Sequence, residues 1–336
     1  MWKTVNHDLI TENLVNSFHS GNIGHSYLIT GETSVGKTTL AFDMARLFNC
    51  ESTEKPCGNC SQCIRIERCI HSDIRHIIPN SSTDFIGINQ VKELKTEVFL
   101  KPYEGKNRVV IIEQIDRLTK EASNSLLKIL EEPPDNVIFI LLTNKFKSVL
   151  STIVSRCRIL RLKPTSISYV TLFLANNFDL NEEMIQEISS MSEGRIGWAI
   201  NAANNFQIVE NLKLEINNIN YIINSSIDEK FKYVDSLVSE YSSDRNSLPV
   251  KLQLWIDFLR DLIFYKSGFY TRLKFSTMKK SYDGISSQIS YSKIVELIGN
   301  LDSINQYFDN NVNPKLLLER FVLDLPELKA NYNDVY

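Results

Sequence analysis

The residues best suited to chemistry lie in one short segment that begins with a glycine and ends with a lysine and a threonine. The segment Gly31-Glu32-Thr33-Ser34-Val35-Gly36-Lys37-Thr38 fits the phosphate-binding loop pattern G-x-x-x-x-G-K-[ST]. In such a loop the backbone N–H groups point at phosphate oxygens, the lysine reaches the β- and γ-phosphates, and the final hydroxyl ligates Mg²⁺. The pattern therefore predicts a nucleoside triphosphate site, without indicating whether the nucleotide is hydrolysed.

Cysteines form a second candidate site. The sequence has 6 cysteines, and all but one of them lie between positions 50 and 69. Cys57, Cys60 and Cys63 follow the spacing C-x2-C-x2-C, and Cys50 lies upstream at the end of a predicted helix. Four thiolates can close a tetrahedral structural zinc site, which leaves Cys69 as an unliganded thiol. The alternative is a set of free or redox-active thiols, which this spacing disfavours.

A carboxylate follows the β-branched run 108–112, which reads as a buried strand. Glu113 is placed where a nucleotide-hydrolysing site holds Mg²⁺, often through water, unless it is an ordinary polar strand end. A second acid usually comes next and activates the attacking water, but here Gln114 follows. A glutamine side chain orients water and cannot take its proton, so the pair Glu113-Gln114 predicts weak hydrolysis.

Two further groups remain open on sequence grounds. Thr143-Asn144 follows the apolar run 137–142 and is either a sensor of the γ-phosphate or a simple strand cap. Arg156, in Ser155-Arg156-Cys157, reads by itself as a surface arginine.

The elements that must position these groups alternate between strands and helices. Apolar runs predict strands at 27–30, 73–79, 108–113, 137–142 and 158–162, and helical spacing predicts helices at 39–48, 88–98 and 120–130. Uninterrupted apolar runs suit a parallel sheet covered on both faces. Residues 27–163 therefore predict a doubly wound α/β domain, with Pro164 at its boundary.

The strand pattern stops after Pro164. Residues 166–203 predict about three short helices, with Gly194-Arg195-Ile196-Gly197 between the last two, and 207–330 predict longer helices with apolar faces. A basic and aromatic segment is either a weak patch or, in the favoured interpretation, a solvated loop. Its residues are Arg272, Lys274, Lys279 and Lys280, among Tyr270, Phe275 and Tyr282.

Composition limits the function classes. The 336 residues suggest two or three domains, and 43% hydrophobic residues supply sizeable cores. A net charge of −3 excludes a global field for nucleic acid but not a local basic patch. No apolar run reaches membrane-spanning length and the first residues lack a signal-peptide pattern, so a soluble cytoplasmic protein without a membrane partner is expected.

Several motifs together resemble a known family. His25–Gly31, the cysteines inserted after the first helix of the domain, the run Asn124–Pro134 and Ser155-Arg156-Cys157 occur in this order in bacterial clamp-loader AAA+ subunits. These are the delta-prime and gamma/tau subunits of DNA polymerase III. The resemblance covers about 1–205 with specific motifs, and the remainder is similar only in its helical character.

The resemblance implies a fold class and a domain plan. The fold is α/β: an AAA+ P-loop domain over 1–164 with a zinc-knuckle insertion at about 50–69. A small helical lid follows at 165–205, and an all-α collar for oligomerisation at 206–336. The implied partners are gamma/tau and delta in a hetero-pentamer, the sliding clamp and, through the complex, primer–template DNA.

The resemblance also implies roles for single residues. Arg156 is similar to the arginine finger that reaches in trans to a neighbour's γ-phosphate, Asn144 lies at the first sensor position and Arg195 at the second. Glu113 and Gln114 correspond to a degenerate Walker B pair. The implied contacts to ATP are Gly31, Glu32, Thr33, Ser34, Val35, Gly36, Lys37, Thr38, Thr39, Asn144 and Arg195, with Thr38 on Mg²⁺. The implied zinc ligands are Cys50, Cys57, Cys60 and Cys63.

The resemblance leaves two types of subunit to choose between. The gamma/tau motor normally carries Asp-Glu where Glu113-Gln114 stands, so the delta-prime type is preferred. We then expect a subunit of the DNA polymerase III holoenzyme that binds ATP and hydrolyses it slowly or not at all alone. The alternatives are a gamma/tau-type motor ATPase and, less favoured, an unrelated P-loop phosphotransferase.

Overall fold

The computed structural model describes residues 1–80, 85–245, 247–307 and 313–326. It divides into two compact units: the first comprises Met1–Ser166 with Gly194–Trp198, and the second Ile167–Glu193 with Ala199–Tyr336. The end of the predicted collar, 327–336, lies outside the described residues.

The first unit is built on a parallel sheet in the order β2-β3-β4-β1-β5. Its strands are β1 (Ser26–Thr30), β2 (Ile74–Ile77), β3 (Arg108–Ile112), β4 (Val137–Thr143) and β5 (Arg158–Arg161). The sequence prediction of five strands in a parallel α/β sheet is therefore confirmed. Since all strands run the same way, their carboxyl ends meet at one edge, where ligands bind in such sheets.

Helices cover both faces of this sheet. They are α1 (Asp8–His19), α2 (Lys37–Asn49), α3 (Ser61–Glu67), α4 (Ile88–Val98), α5 (Lys120–Glu131) and α6 (Ser151–Val154). Leu28, Val110 and Phe139 enter one core with α4 and α5, while Ile29 and Ile140 enter the other with α2. Because β1 and β4 are buried on both faces, their sequences are continuous apolar runs.

The second unit is helical, as the sequence predicts for the C-terminal part. Three short helices come first: α7 (Ile167–Asn177), α8 (Glu182–Ser192) and α9 (Ile196–Asn204), whose start belongs to the first unit. The longer helices are α10 (Gln207–Asn224), α11 (Ile227–Ser243), α12 (Ser247–Lys266) and α14 (Tyr291–Tyr307). Two further short helices are α13 (Lys279–Ser286) and α15 (Pro314–Asp324).

The segment between α12 and the start of α13 corrects the favoured sequence interpretation in part. Tyr270, Arg272 and Lys279 are exposed, as a solvated loop requires, but the middle of the segment is buried. Phe275 and Tyr282 are fully buried, and Lys274 is 7% exposed and pairs with Asp257 of α12. Asp261, also buried on α12, accepts hydrogen bonds from the backbone N–H groups of Lys274 and Phe275 at 3.1 and 2.9 Å. Lys274 and Phe275 therefore fasten the middle of this segment to α12.

Candidate functional site

The predicted phosphate-binding loop lies at the corner between β1 and α2, the position that its chemistry requires. Gly36 caps α2 with φ 100°, a left-handed backbone that favours glycine and turns the chain into the helix. The Lys37 ammonium is folded back over the loop and donates to the carbonyls of Gly31 and Glu32 at 2.9 and 2.5 Å. The loop therefore encloses a cation beside a helix N-terminus, an arrangement that favours phosphate groups.

Burial changes the acid–base behaviour of Lys37. Desolvation lowers its pKa to about 8, although the carboxylates of Glu113, Asp116 and Glu32 act in the opposite direction. A cation held partly out of water gains most from an anionic ligand, because the interaction is screened less than in bulk solvent.

Glu113 follows β3 and faces the start of α2. Its Oε1 accepts hydrogen bonds from the hydroxyl of Thr38 at 3.0 Å and from Nε2 of His76, on β2, at 3.1 Å. The His76 hydrogen bond lowers the pKa of Glu113, burial acts in the opposite direction, and the Thr38 hydrogen bond lowers the pKa further. Glu113 is thus a carboxylate at neutral pH, next to the hydroxyl predicted to ligate Mg²⁺.

Gln114, the residue after Glu113, has a strained backbone. The next carboxylate, that of Asp116, lies in the short helical turn that follows. Gln114 has φ 48°, in the left-handed region, and begins the turn Ile115–Arg117. Asp116, within that turn, accepts a hydrogen bond from the hydroxyl of Thr143 at 2.6 Å and contributes to the field at Lys37. Sequence reasoning did not select Asp116 or His76, because neither occupies a motif position.

The polar pair after β4 reaches the loop. The amide of Asn144 donates to the hydroxyl of Thr33 at 3.1 Å, while Thr143 contacts Asp116 instead. The sheet order explains this, because β4 pairs directly with β1 and brings its carboxyl end beside the loop. A side chain at this place is within reach of a nucleotide that the loop would hold.

A distant segment also packs on the loop and carries Arg195. The N–H of Gly197 donates to the carbonyl of Ser34 at 2.8 Å, and a Cβ on Gly197 would lie 2.8 Å from that same oxygen. Only glycine permits so close an approach. Half-buried Arg195 therefore belongs to a segment anchored to the loop.

The four predicted zinc ligands converge. The sulfurs of Cys50, Cys57, Cys60 and Cys63 all lie within 4.8 Å of one another, and two of the Sγ–Sγ distances are 4.0 Å. A tetrahedral site with Zn–S bonds of about 2.3 Å places sulfurs about 3.8 Å apart, so the cluster fits zinc.

Backbone hydrogen bonds support the same cluster. The N–H of Cys60 donates to the sulfur of Cys57 at 3.3 Å, and that of Cys57 to the sulfur of Cys50 at 3.4 Å. Burial raises the pKa of Cys57, but hydrogen bonds from the N–H groups of Asn59 and Cys60 and from the thiols of Cys50 and Cys60 together lower it to about 6. A thiolate is the form that binds a metal. Cys69 is exposed and lies outside the cluster.

Arg156 follows α6, away from the phosphate-binding loop in sequence. Its side chain is 35% exposed, and its Nη2 pairs with Oε1 of Glu131 at 2.7 Å. Its Nη1 donates to the carbonyl of Thr152 at 2.9 Å. The arginine is thus held on the surface of its own chain.

Comparison with known proteins shows which proteins this chain is similar to. Residues 6–166 match the model of the family described as DNA polymerase III, delta subunit. The chain is 25% identical to DNA polymerase III subunit delta′ of Bacillus subtilis over 329 residues, which cover 97% of this chain and 98% of that relative. The chain is thus similar to DNA polymerase III subunits, and to delta′ over nearly its whole length.

Other DNA polymerase III subunits match more locally. DNA polymerase III subunit gamma of Buchnera aphidicola is 33% identical over 65% of this chain, and the chain spans about 60% of the length of that relative. A solved structure of a DNA polymerase III gamma subunit-related protein from Thermotoga maritima covers 93% of this chain and 97% of that chain, at 18% identity and a TM-score of 0.49. Within the described residues, no helix is long and apolar enough to cross a membrane.

Proposed function

We propose that this chain is a delta′-type clamp-loader subunit that holds ATP and works in a hetero-oligomer. Its partners would be gamma/tau and delta subunits, and the complex would load the sliding clamp onto primed DNA during replication in the bacterial cytoplasm. The observation that carries the proposal is the arrangement at the β1–α2 corner, where Lys37 lies over the loop and the Thr38 hydroxyl donates to Glu113. The likeness to delta′ over nearly the whole chain supports the choice of subunit.

The proposed domain plan follows the family. An AAA+ domain over 1–164 carries a zinc knuckle at about 50–69, held by Cys50, Cys57, Cys60 and Cys63. A lid over 165–205 and a collar over 206–336 complete it. Zinc would be structural here, since four sulfurs fill its coordination and leave no open position for chemistry.

The proposed pocket binds ATP with Mg²⁺. Residues 31–39 would surround the phosphates, Lys37 would contact the β- and γ-phosphates, and the Thr38 hydroxyl would reach the metal, with Glu113 holding metal-bound water. Asn144 and Arg195 would lie beside the γ-phosphate, since both are anchored near the loop. Gln114 lacks the basicity to activate water, so hydrolysis by the isolated chain would be slow or absent.

The proposed contribution to turnover is Arg156, offered in trans to the triphosphate of a neighbouring motor subunit. An arginine there stabilises charge in the transition state, an effect of order 10³–10⁵ in rate in other nucleotide hydrolases. The partial exposure of Arg156 supports this role, because a buried side chain could not cross a subunit boundary.

A motor ATPase is the second candidate, and Asp116 favours it. This carboxylate acts to raise the pKa of Lys37, and in a motor it would supply the acid that the position of Gln114 lacks. The purified chain decides between the two functions. If the chain only holds ATP, the wild type binds ATP and Lys37→Ala abolishes this binding. The wild type then hydrolyses ATP no faster than the Asp116→Asn variant does. Motor-like turnover that falls in both variants would establish the motor and overturn the holding role.

A further inference from the structure

An ion pair at the end of α5 determines how Arg156 is held. Glu131 is the last residue of α5, and its Oε1 accepts a hydrogen bond from Nη2 of Arg156 at 2.7 Å. On the other side Nη1 donates to the carbonyl of Thr152 at 2.9 Å and to the hydroxyl of Ser155 at 3.3 Å. The guanidinium is therefore oriented from two sides, by a helix end and by its own turn.

Stability alone does not account for a glutamate at this place. The C-terminus of a helix carries partial negative charge, so an acid there is unfavourable. Glu132, the next residue, caps the same end and adds a second acid. The pair is half-exposed, at 35% for Arg156 and 51% for Glu131, and exposed ion pairs contribute little to folding.

The effect of the Glu131–Arg156 pair is to orient the arginine side chain. A long arginine side chain samples many rotamers, and fixing it before a ligand arrives removes that entropy from the later step. The Glu131 carboxylate bonds only Nη2 of the guanidinium, and solvent screens this interaction. A triphosphate, with its higher negative charge, therefore competes effectively for the same guanidinium.

We propose that Glu131 is a positioning residue for Arg156, which holds the guanidinium at the edge of the first unit ready for a neighbour's γ-phosphate. The inference rests on the proposed function of Arg156 and adds the group that orients it. Glu131 itself would not touch the nucleotide, so its effect would act entirely through Arg156.

The test uses the assembled complex with gamma/tau-type and delta subunits, sliding clamp, primed DNA and ATP. Glu131→Gln keeps the shape of the side chain and removes its charge. We expect kcat of the stimulated ATPase to fall about fivefold, the effect of losing one such pair, with KM for ATP little changed. The matched control is Glu132→Gln, which removes the adjacent charge and should leave kcat unchanged.

A double variant separates positioning from a structural role. In an Arg156→Ala background, Glu131→Gln should have no further effect, since the group it orients is gone. An equal loss of kcat in that background, or no loss in the single variant, would overturn the inference. If Arg156→Ala leaves the stimulated ATPase unchanged, then the proposed role of Arg156 fails, and with it the basis for Glu131.

Discussion

At the scale of single residues, the candidate site depends on charge held out of water. Lys37 is only 8% exposed, and Glu113 is kept ionised by hydrogen bonds from His76 and Thr38. A cation and a carboxylate so arranged suit a ligand with complementary charge on both sides, as the proposed ATP with Mg²⁺ would have. The same burial makes the affinity of the pocket sensitive to pH.

Nucleotide binding should weaken in alkaline solution. Burial lowers the pKa of Lys37 to about 8, so above that pH the free protein increasingly carries a neutral amine, while phosphate binding requires the ammonium. The Kd for ATP should rise towards about tenfold per pH unit between about pH 8 and 9.5, by titration calorimetry. Lys37→Arg stays charged and should show no such rise. An equally flat profile for the wild-type chain would contradict this explanation.

The sequence predicts those residues of the site whose type and spacing a motif fixes. The loop 31–38, the cysteine cluster and Glu113 can be predicted in this way. His76 and Asp116 cannot be predicted, because their approach to Glu113 and Lys37 arises from the order of strands in the sheet. Apolar runs predict that strands exist and are buried, but the same runs fit several strand orders.

At the scale of elements, two attachments hold the site together from a distance in sequence. β4 pairs with β1 and brings Asn144 to the loop, and the turn before α9 brings Arg195 through the Gly197–Ser34 hydrogen bond. The helices themselves are predicted well by apolar spacing. The burial of Lys274 is not predicted, because a basic residue among aromatic residues is expected to be exposed. Only the structure shows that Asp257 lies opposite and pairs with it.

Filling the space at Gly197 should disturb the nucleotide pocket. An added Cβ would lie 2.8 Å from a backbone oxygen, so Gly197→Ala must displace the segment that carries Arg195. ATP affinity should fall about tenfold, the equivalent of one polar contact, without loss of the folded state. The matched control is Gly299→Ala in α14, where the added Cβ meets open space. Unchanged affinity in Gly197→Ala would exclude a role for this attachment in binding.

The cysteine cluster should bind one zinc ion and stabilise its segment. Metal analysis of the purified chain should give about one zinc per molecule, because four sulfurs close one tetrahedral site. Cys60→Ser should lose the metal and lower the midpoint of thermal unfolding by about 5 °C or more. Cys69→Ser, outside the cluster, should keep both properties of the wild type. Equal zinc content in the Cys60 variant would refute the ligand assignment.

At the scale of the whole molecule, the chain is suited to work in an assembly. Its net charge of −3 gives it no strong attraction for DNA by itself, and contacts to phosphates would be shared among the subunits of a complex. Arg156 and Lys37 have different partners on the first unit, so in the proposed function one chain would hold its own ATP and serve a neighbour's. The proposed role of this chain is therefore what it does for a neighbouring subunit.

The most direct measurement of that role is the ATPase rate of a reconstituted complex in which only the motor site next to this chain keeps its own P-loop lysine. Arg156→Ala should lower the clamp- and DNA-stimulated rate at that site by about 10³-fold, while the isolated variant binds ATP as tightly as the wild type. Arg75→Ala, which removes another exposed arginine from the first unit, should leave the rate unchanged. A complex with Arg156→Ala that hydrolyses ATP at the wild-type rate would contradict the account.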